Sequence, residues 1–139
     1  MLYPRHYVQF LDGRRGKAAV IARLPGEIAA RLPAQTLDVQ IGQDYALKLI
    51  RKHNLNYADL AMVQPAIDLG WCTRTRPAML DFLYVTQEPF PRRFILGVKV
   101  ARGGMEVWLQ TFYRCTESDI RRRLRRAQEA NALFRTHAW

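Results

Sequence analysis

Two cysteines are all that 139 residues contain, and Cys72 and Cys115 stand far apart with no metal-binding or redox spacing. They read as free thiols, which suits a reducing cytoplasm, and a chain of this length can bury a core without disulfide staples. No apolar run approaches the roughly 20 residues that span a bilayer. The opening segment MLYPRHYVQF has neither the apolar stretch nor the small-residue cleavage site of a secretory signal. A cytoplasmic protein with no membrane partner is expected. Phosphate loops of the GxGxxG or Walker A type are missing, and so is HExxH. That removes nucleotide-dependent and zincin-type enzymes, and no cofactor or metal is expected. There is no internal repeat, low-complexity tract or long linker, so the length fits one domain over 1–139.

Acidic residues are the other shortage. Twelve Asp and Glu face 22 Lys and Arg, a formal net charge of +10. Residues 1–90 hold 11 basic against 8 acidic side chains, net +3, while residues 91–139 hold 11 against 4, net +7. A field of this sign draws in polyanions and speeds encounter with them. RNA or another nucleic acid is the natural partner. A basic surface that serves solubility and an acidic protein partner are the alternatives.

What is present reads as an α+β chain. HYVQFLDGRRGKAAVIARLP has two apolar runs, Tyr7–Leu11 and Ala18–Leu24, around the turn chemistry DGRRG, and predicts a hairpin. PGEIAARLPAQ predicts one short helix, opened by Pro25 and stopped by Pro33. TLDVQIG alternates, with Leu37, Val39 and Ile41 on one face of a half-buried strand. Asp44 can cap the helix YALKLIRKH, whose buried stripe is Ala46, Leu49 and Ile50. Asn56 and Asp59 resemble a capping box opening YADLAMVQPAIDLG, with Pro65 placed to kink or split it and Gly70 to end it.

Four β-type runs follow: WCTRTRP, AMLDFLYVTQ, RFILGVKVA and MEVWLQTFYR, with turns at EPFPR and RGG. Thr116 to Asp119 has the form of a second capping box. It opens the helix IRRRLRRAQEANALF, on which Ile120, Leu124, Ala127 and Phe134 share a face. Helices and strands are segregated. This predicts N-terminal helices packed on a roughly four-stranded antiparallel sheet, with a basic C-terminal helix.

The stretch LPGEIAARL…LDVQIGQDYALKLIRKHNLNYADLAMVQPAIDLGW, followed by FILGVKVARGGMEVWLQTFYRCTESDIRRRLRRA, resembles the phage-associated branch of the barnase, EndoU, colicin D and RelE-like nucleases. The features that carry it are a helix ending in Lys52-His53, a helix opened by an acidic residue, a glycine-ended segment, the strand with Val98-Lys99, and TFYR leading into a basic helix. It spans roughly Ile21 to Ala127. The resemblance implies metal-independent RNA cleavage at a sheet face. The ribose 2′-hydroxyl would attack its own 3′ phosphate, leaving a cyclic phosphate and a free 5′-hydroxyl. It also implies a phage or toxin context with an immunity or phage partner protein. The other readings are a non-catalytic nucleic-acid-binding or virion-associated protein, and an inhibitor or adaptor docking on an acidic partner.

That reaction needs a base, an acid and cations or donors around the phosphorane. His53 titrates in the right range, although a histidine at a helix C-terminus also serves the free carbonyls there. Lys99 interrupts an apolar strand and shares a face with Ile95 and Ala101, where it can bind phosphate or simply be solvated. Thr111 and Tyr113 share a face, and Arg114 points the other way. Thr111 can donate to a phosphate oxygen, Arg114 can clamp it in a bidentate fork, and Tyr113 can contact nucleic acid or pack across strands. His53, Lys99, Thr111 and Arg114 are the expected catalytic set. Glu106 and Asp81 are possible bases but read more simply as turn-adjacent or exposed strand residues. His6 and His137 lie near the ends. Trp71 and Trp108 can stack on bases or pack. Five of the six positions 121–126 are arginine, and Arg121, Arg122, Arg125 and Arg126 are expected to track a phosphate backbone. No second histidine lies in the resembling region, so a lysine, arginine, threonine or carboxylate must make the other proton transfer.

Overall fold

A computed structural model describes residues 1–135. The fold is α+β, as the segregation of helices and strands predicts. Its strands are β1 (Ala18–Arg23), β2 (Asp38–Gly42), β3 (Trp71–Arg76), β4 (Met79–Val85), β5 (Arg93–Ala101), β6 (Glu106–Arg114) and β7 (Leu133–Arg135). They form one sheet in the order β1-β2-β6-β5-β4-β3-β7. All pairs are antiparallel except β2 with β6, where Val39 faces Val107 and Gln40 faces Trp108 in parallel register. The sheet is therefore seven-stranded and mixed, wider than the four antiparallel strands expected. The four-strand meander is its centre. Two of the additions, β1 and β2, are the runs Ala18–Leu24 and TLDVQIG already read as strands, whose joining this sheet is a non-local pairing; the third, β7, comes from a segment expected to be helical.

Helices α1 (Tyr7–Leu11), α2 (Gly26–Arg31), α3 (Gln43–Arg51), α4 (Tyr57–Leu60) and α5 (Val63–Leu69) cover one face. They bury Phe10, Ile28, Leu49, Leu60 and Ile67 against Phe82, Phe94, Leu96, Val98 and Phe112 in one large core. The rings of Phe94 and Phe112 stack at 5.2 Å between centroids. The other face carries a smaller core, Leu83 and Ile95 under Ile120, with Leu124 and Trp71 packed on it. The covering helix is α6 (Glu117–Glu129), opened by the expected capping box of Thr116 and Asp119.

Two element predictions are overturned. Tyr7–Leu11 is helical, not the first arm of a hairpin: Pro4 opens a short turn ahead of it, and Tyr7 and Phe10, three apart, bury together. The strand that follows pairs with β2 instead. At the C-terminus the helix stops at Glu129 and does not run to Phe134. Asn131 takes a left-handed φ of 53°, the Ala132 amide donates back to the Ala127 carbonyl, and Phe134 leaves on a strand beside β3 to pack on the large core. Pro65 sits inside α5, and the break it was expected to cause falls just before, between α4 and α5.

The sheet edge at β1 is closed by a side chain. The Gln64 carboxamide accepts from the Arg23 amide at 2.7 Å and donates to the Arg23 carbonyl at 2.9 Å, standing in for a neighbouring strand.

Candidate active site on the open sheet face

Helix α6 covers only part of its face of the sheet. The uncovered part is built on three residues in register across β4, β5 and β6: Asp81, Gly97 and Thr111. Gly97 is where the geometry is decided. A Cβ there would lie 2.5 Å from the Thr111 hydroxyl and 2.8 Å from Asp81 Oδ1, so only glycine lets the two oxygens converge over the central strand. Val98 pairs with Leu109 while Gly97 pairs with Thr111, which leaves Gln110 as the extra residue of a bulge. The bulge restores alternation on either side of it, so Leu109 and Phe112 both reach the large core while Thr111 stays on the open face.

The result is a cavity of about 310 Å³ whose walls include Asp81, Lys99, Thr111, Tyr113, Arg123 and Arg76. Lys99 stands in the next row, opposite Met79 and Trp108. Arg123 comes down from α6. Its Nη1 donates to Asp81 Oδ2 at 3.2 Å and its Nη2 to the Tyr113 hydroxyl at 3.0 Å. The Thr75 hydroxyl donates to the same Oδ2 at 3.1 Å. No hydrogen bond reaches Oδ1 among the described residues. Burial pushes the Asp81 carboxyl above its ordinary range, and Thr75, Arg123 and Arg76 only partly oppose this. A second cavity of similar size, under Met1, Leu2, Arg14 and Arg15, is lined by no carboxylate or hydroxyl.

Of the four expected catalytic residues, the structure brings together Lys99 and Thr111. Arg114 and His53 lie elsewhere. Arg114 shares the helical face with Phe112 and Phe94, and its Nη2 lies 2.5 Å from Oδ2 of Asp59. Asp59 is fully buried at the start of α4. It closes the expected capping box with Asn56 and also takes Arg92 at 2.8 Å on its other oxygen. Burial alone would raise its carboxyl. The bonds from Arg114, the Asn56 amide and Arg92 outweigh that and hold it below the usual range. Arg114 is thus a structural tie between β6 and α4. His53 follows the end of α3, whose Leu49 is in the large core, so the sheet stands between its helix and Lys99. The imidazole is exposed and makes no side-chain hydrogen bond or ion pair among the described residues.

Tyr113 lies at the cavity, as its shared face with Thr111 predicts. On α6, Arg121 pairs with Glu117 at 2.8 Å and Arg122 with Asp119 at 2.9 Å, both at the surface. Arg125 and Arg126 are exposed, and their side chains make no hydrogen bond or ion pair among the described residues. Glu106 bonds the Trp108 indole at 3.3 Å and Arg102 at 3.2 Å. Trp71 packs on the smaller core. The His6 Nδ1 accepts from the Tyr3 amide at 3.2 Å, and His137 lies outside the described residues.

Asp81 is not the exposed strand residue of the simpler reading, and Arg123 and Gly97 were passed over. Each had a signal. Arg123 follows Ile120 by three, on the border of the apolar stripe of α6. Gly97 interrupts an otherwise apolar strand, a mark of close approach.

No group of three or more His, Cys, Asp or Glu that could hold a metal ion occurs among the described residues. Both thiols are free. Burial pushes Cys72 up to about 12 and Cys115 up to about 11, which makes neither a ready nucleophile. No helix among the described residues is long and apolar enough to cross a membrane. The architecture is thus an α+β fold with a mixed sheet, one face closed by helices and the other partly open over a buried carboxylate with cations around it. No family model matches the chain, and neither does any curated protein or solved structure.

Proposed function

We propose that the open sheet face is the active site of a ribonuclease that uses the ribose 2′-hydroxyl as nucleophile. The observation that carries this reading is the state of Asp81. It is a buried carboxylate with one oxygen unclaimed, beside Lys99, Thr111 and an Arg123–Tyr113 pair. A carboxyl whose affinity for protons is raised by burial is a better base once ionised. In the reaction Oδ1 takes the proton of the 2′-hydroxyl, the 2′ oxygen bonds to phosphorus, and the bond to the 5′ oxygen breaks. Tyr113 accepts from Arg123, so its own proton is left to give to the departing oxygen. Lys99, Arg123 and the Thr111 hydroxyl offset the charge that gathers on the phosphorane oxygens. Products are a 2′,3′-cyclic phosphate and a 5′-hydroxyl. The motif resemblance to barnase-like nucleases read around Lys99 and Thr111 is in keeping with the same chemistry, with the base at Asp81 in place of His53.

Purified protein is expected to cleave single-stranded RNA in EDTA to these products. Asp81→Asn and Lys99→Ala should each lower kcat/KM by about 10²-fold or more, and His53→Ala should change it by less than about twofold. Intact RNA with the wild-type protein, or an active Asp81→Asn variant, would overturn the proposal. One feature favours a second reading, nucleic-acid binding without cleavage: Asp81 Oδ2 is already taken by Thr75 and Arg123. Uncleaved RNA bound with a steep salt dependence would select it.

A further inference from the structure

Beside the Asp81 cavity lies another, of about 250 Å³, in the trough between α6 and β3. Thr75 and Arg123 line both. Arg123 therefore stands on the sill between two adjoining spaces, pinned there by Asp81 and Tyr113. Ala127, Ala130 and Ala132 line the trough with methyl groups, and Arg126 and Arg74 line it too.

These cations differ in how free they are. Arg74 is committed to the fold: its Nη1 donates to the Pro77 carbonyl at 2.9 Å, its Nη2 to the Arg31 carbonyl, and it lies over the Phe134 ring. The Arg126 guanidinium makes no hydrogen bond or ion pair among the described residues. It is one helical step from Arg123, at the i,i+3 spacing that places two side chains on one face. Arg121 and Arg122, on the outer flank, are already paired with Glu117 and Asp119.

Resting on the ribonuclease reading, we propose that the trough is a subsite for the neighbouring nucleotide of a single-stranded RNA. The strand crosses the sill at Arg123. Arg126 holds the phosphate adjacent to the scissile one, and the alanine side accepts the base or ribose without selecting among bases. A continuous path with spaced cations and an apolar lining is what a backbone-tracking groove requires. The trough, not the outer arginine flank of α6, sets how long a substrate the protein grips.

The test measures binding of fluorescent 2′-deoxy oligonucleotides of two and five nucleotides, which cannot be cleaved by a 2′-hydroxyl route, by anisotropy across a salt series. The longer probe should bind the wild-type protein roughly 10-fold more tightly or better. Arg126→Ala should weaken the longer probe about fivefold, lower its salt slope by about 0.7, and leave the shorter probe unchanged. Ala130→Phe, which fills the trough without altering charge, should weaken the longer probe alone, while Arg121→Ala should affect neither. Equal affinity for the two lengths would overturn the subsite, as would equal losses from Arg126→Ala and Arg121→Ala, or no loss from Ala130→Phe. Cleavage of an RNA dinucleotide, followed separately, needs only the Asp81 cavity. Cleavage with no length effect removes the subsite and leaves the ribonuclease, whereas a length effect without cleavage does the reverse.

Discussion

At the scale of single residues, Asp81 makes stability depend on pH. Its folded-state carboxyl binds a proton more tightly than the unfolded chain does. The stabilising contribution of that proton is complete below the unfolded value of about 4, and it is lost as pH rises through the folded value. At neutral pH the ionised group is a cost to the fold. Asp81→Asn should therefore be more stable than the wild type at pH 7, and denaturant melts should converge as pH falls towards 4. A destabilised Asn variant at pH 7 would mean that the ion pair with Arg123 outweighs burial. Gly97 acts in the same place by having nothing to offer: its missing side chain is the space in which the Asp81 and Thr111 oxygens meet.

Between elements, the counterpart is Asp59, where the sign is opposite. One buried carboxylate closes the N-terminus of α4, anchors Arg92 ahead of β5 and ties Arg114 at the end of β6. Its depressed proton affinity means a contribution that is present above the unfolded value of about 4 and lost as pH falls through the folded value. Asp59→Ala removes the partner of Arg114, leaves Arg92 to Glu88 alone and opens a helix start. It should cost about 3 kcal/mol at pH 7, the low end for breaking a buried pair because both arginines keep some contact with water, and the penalty should shrink in melts at pH 3. A penalty that does not change with pH would show that the capping geometry, not the charge, is what matters. Helix α6 shows the same division of labour on one element. Ile120 and Leu124 seat it on Leu83 and Ile95, and that seating is what delivers Arg123 to Asp81.

At the scale of the molecule, the sheet partitions the chemistry. Large aromatics and the first five helices hold one face, leaving the other free to carry polar groups in a shallow cleft. The two thiols report on that partition. Cys72 is fully buried against the helical side and its proton is held to about 12. At pH 8, an aromatic disulfide reagent should label Cys72 only at the rate of global opening, and Cys115, half-buried near the end of β6, sooner. Fast labelling of both in native buffer would contradict a closed helical face.

Much of this was legible in one dimension. Alternation in LDVQIG, the apolar run FILGVKV, the capping boxes at Asn56 and Thr116, and the glycine turn at RGG are local signals; each marked the start or place of an element, though not how far the two helices run. Facing within one strand was legible too: Thr111 and Tyr113 share a face and Arg114 opposes them, because side chains in a strand alternate by geometry alone, whereas strand pairing put Lys99 on the face of Thr111. What the amino-acid order could not carry is which distant segments meet. That β2 runs parallel beside β6, that α6 stops at Glu129 to release a seventh strand, and that His53 and Lys99 fall on opposite sides of a sheet all follow from long-range burial, in which every apolar face seeks cover at once. Residue types and faces were decided by local sterics and periodicity. The buried carboxylate, the cation beside it and the cleft they share were decided only when tertiary packing chose which face of the sheet to leave open.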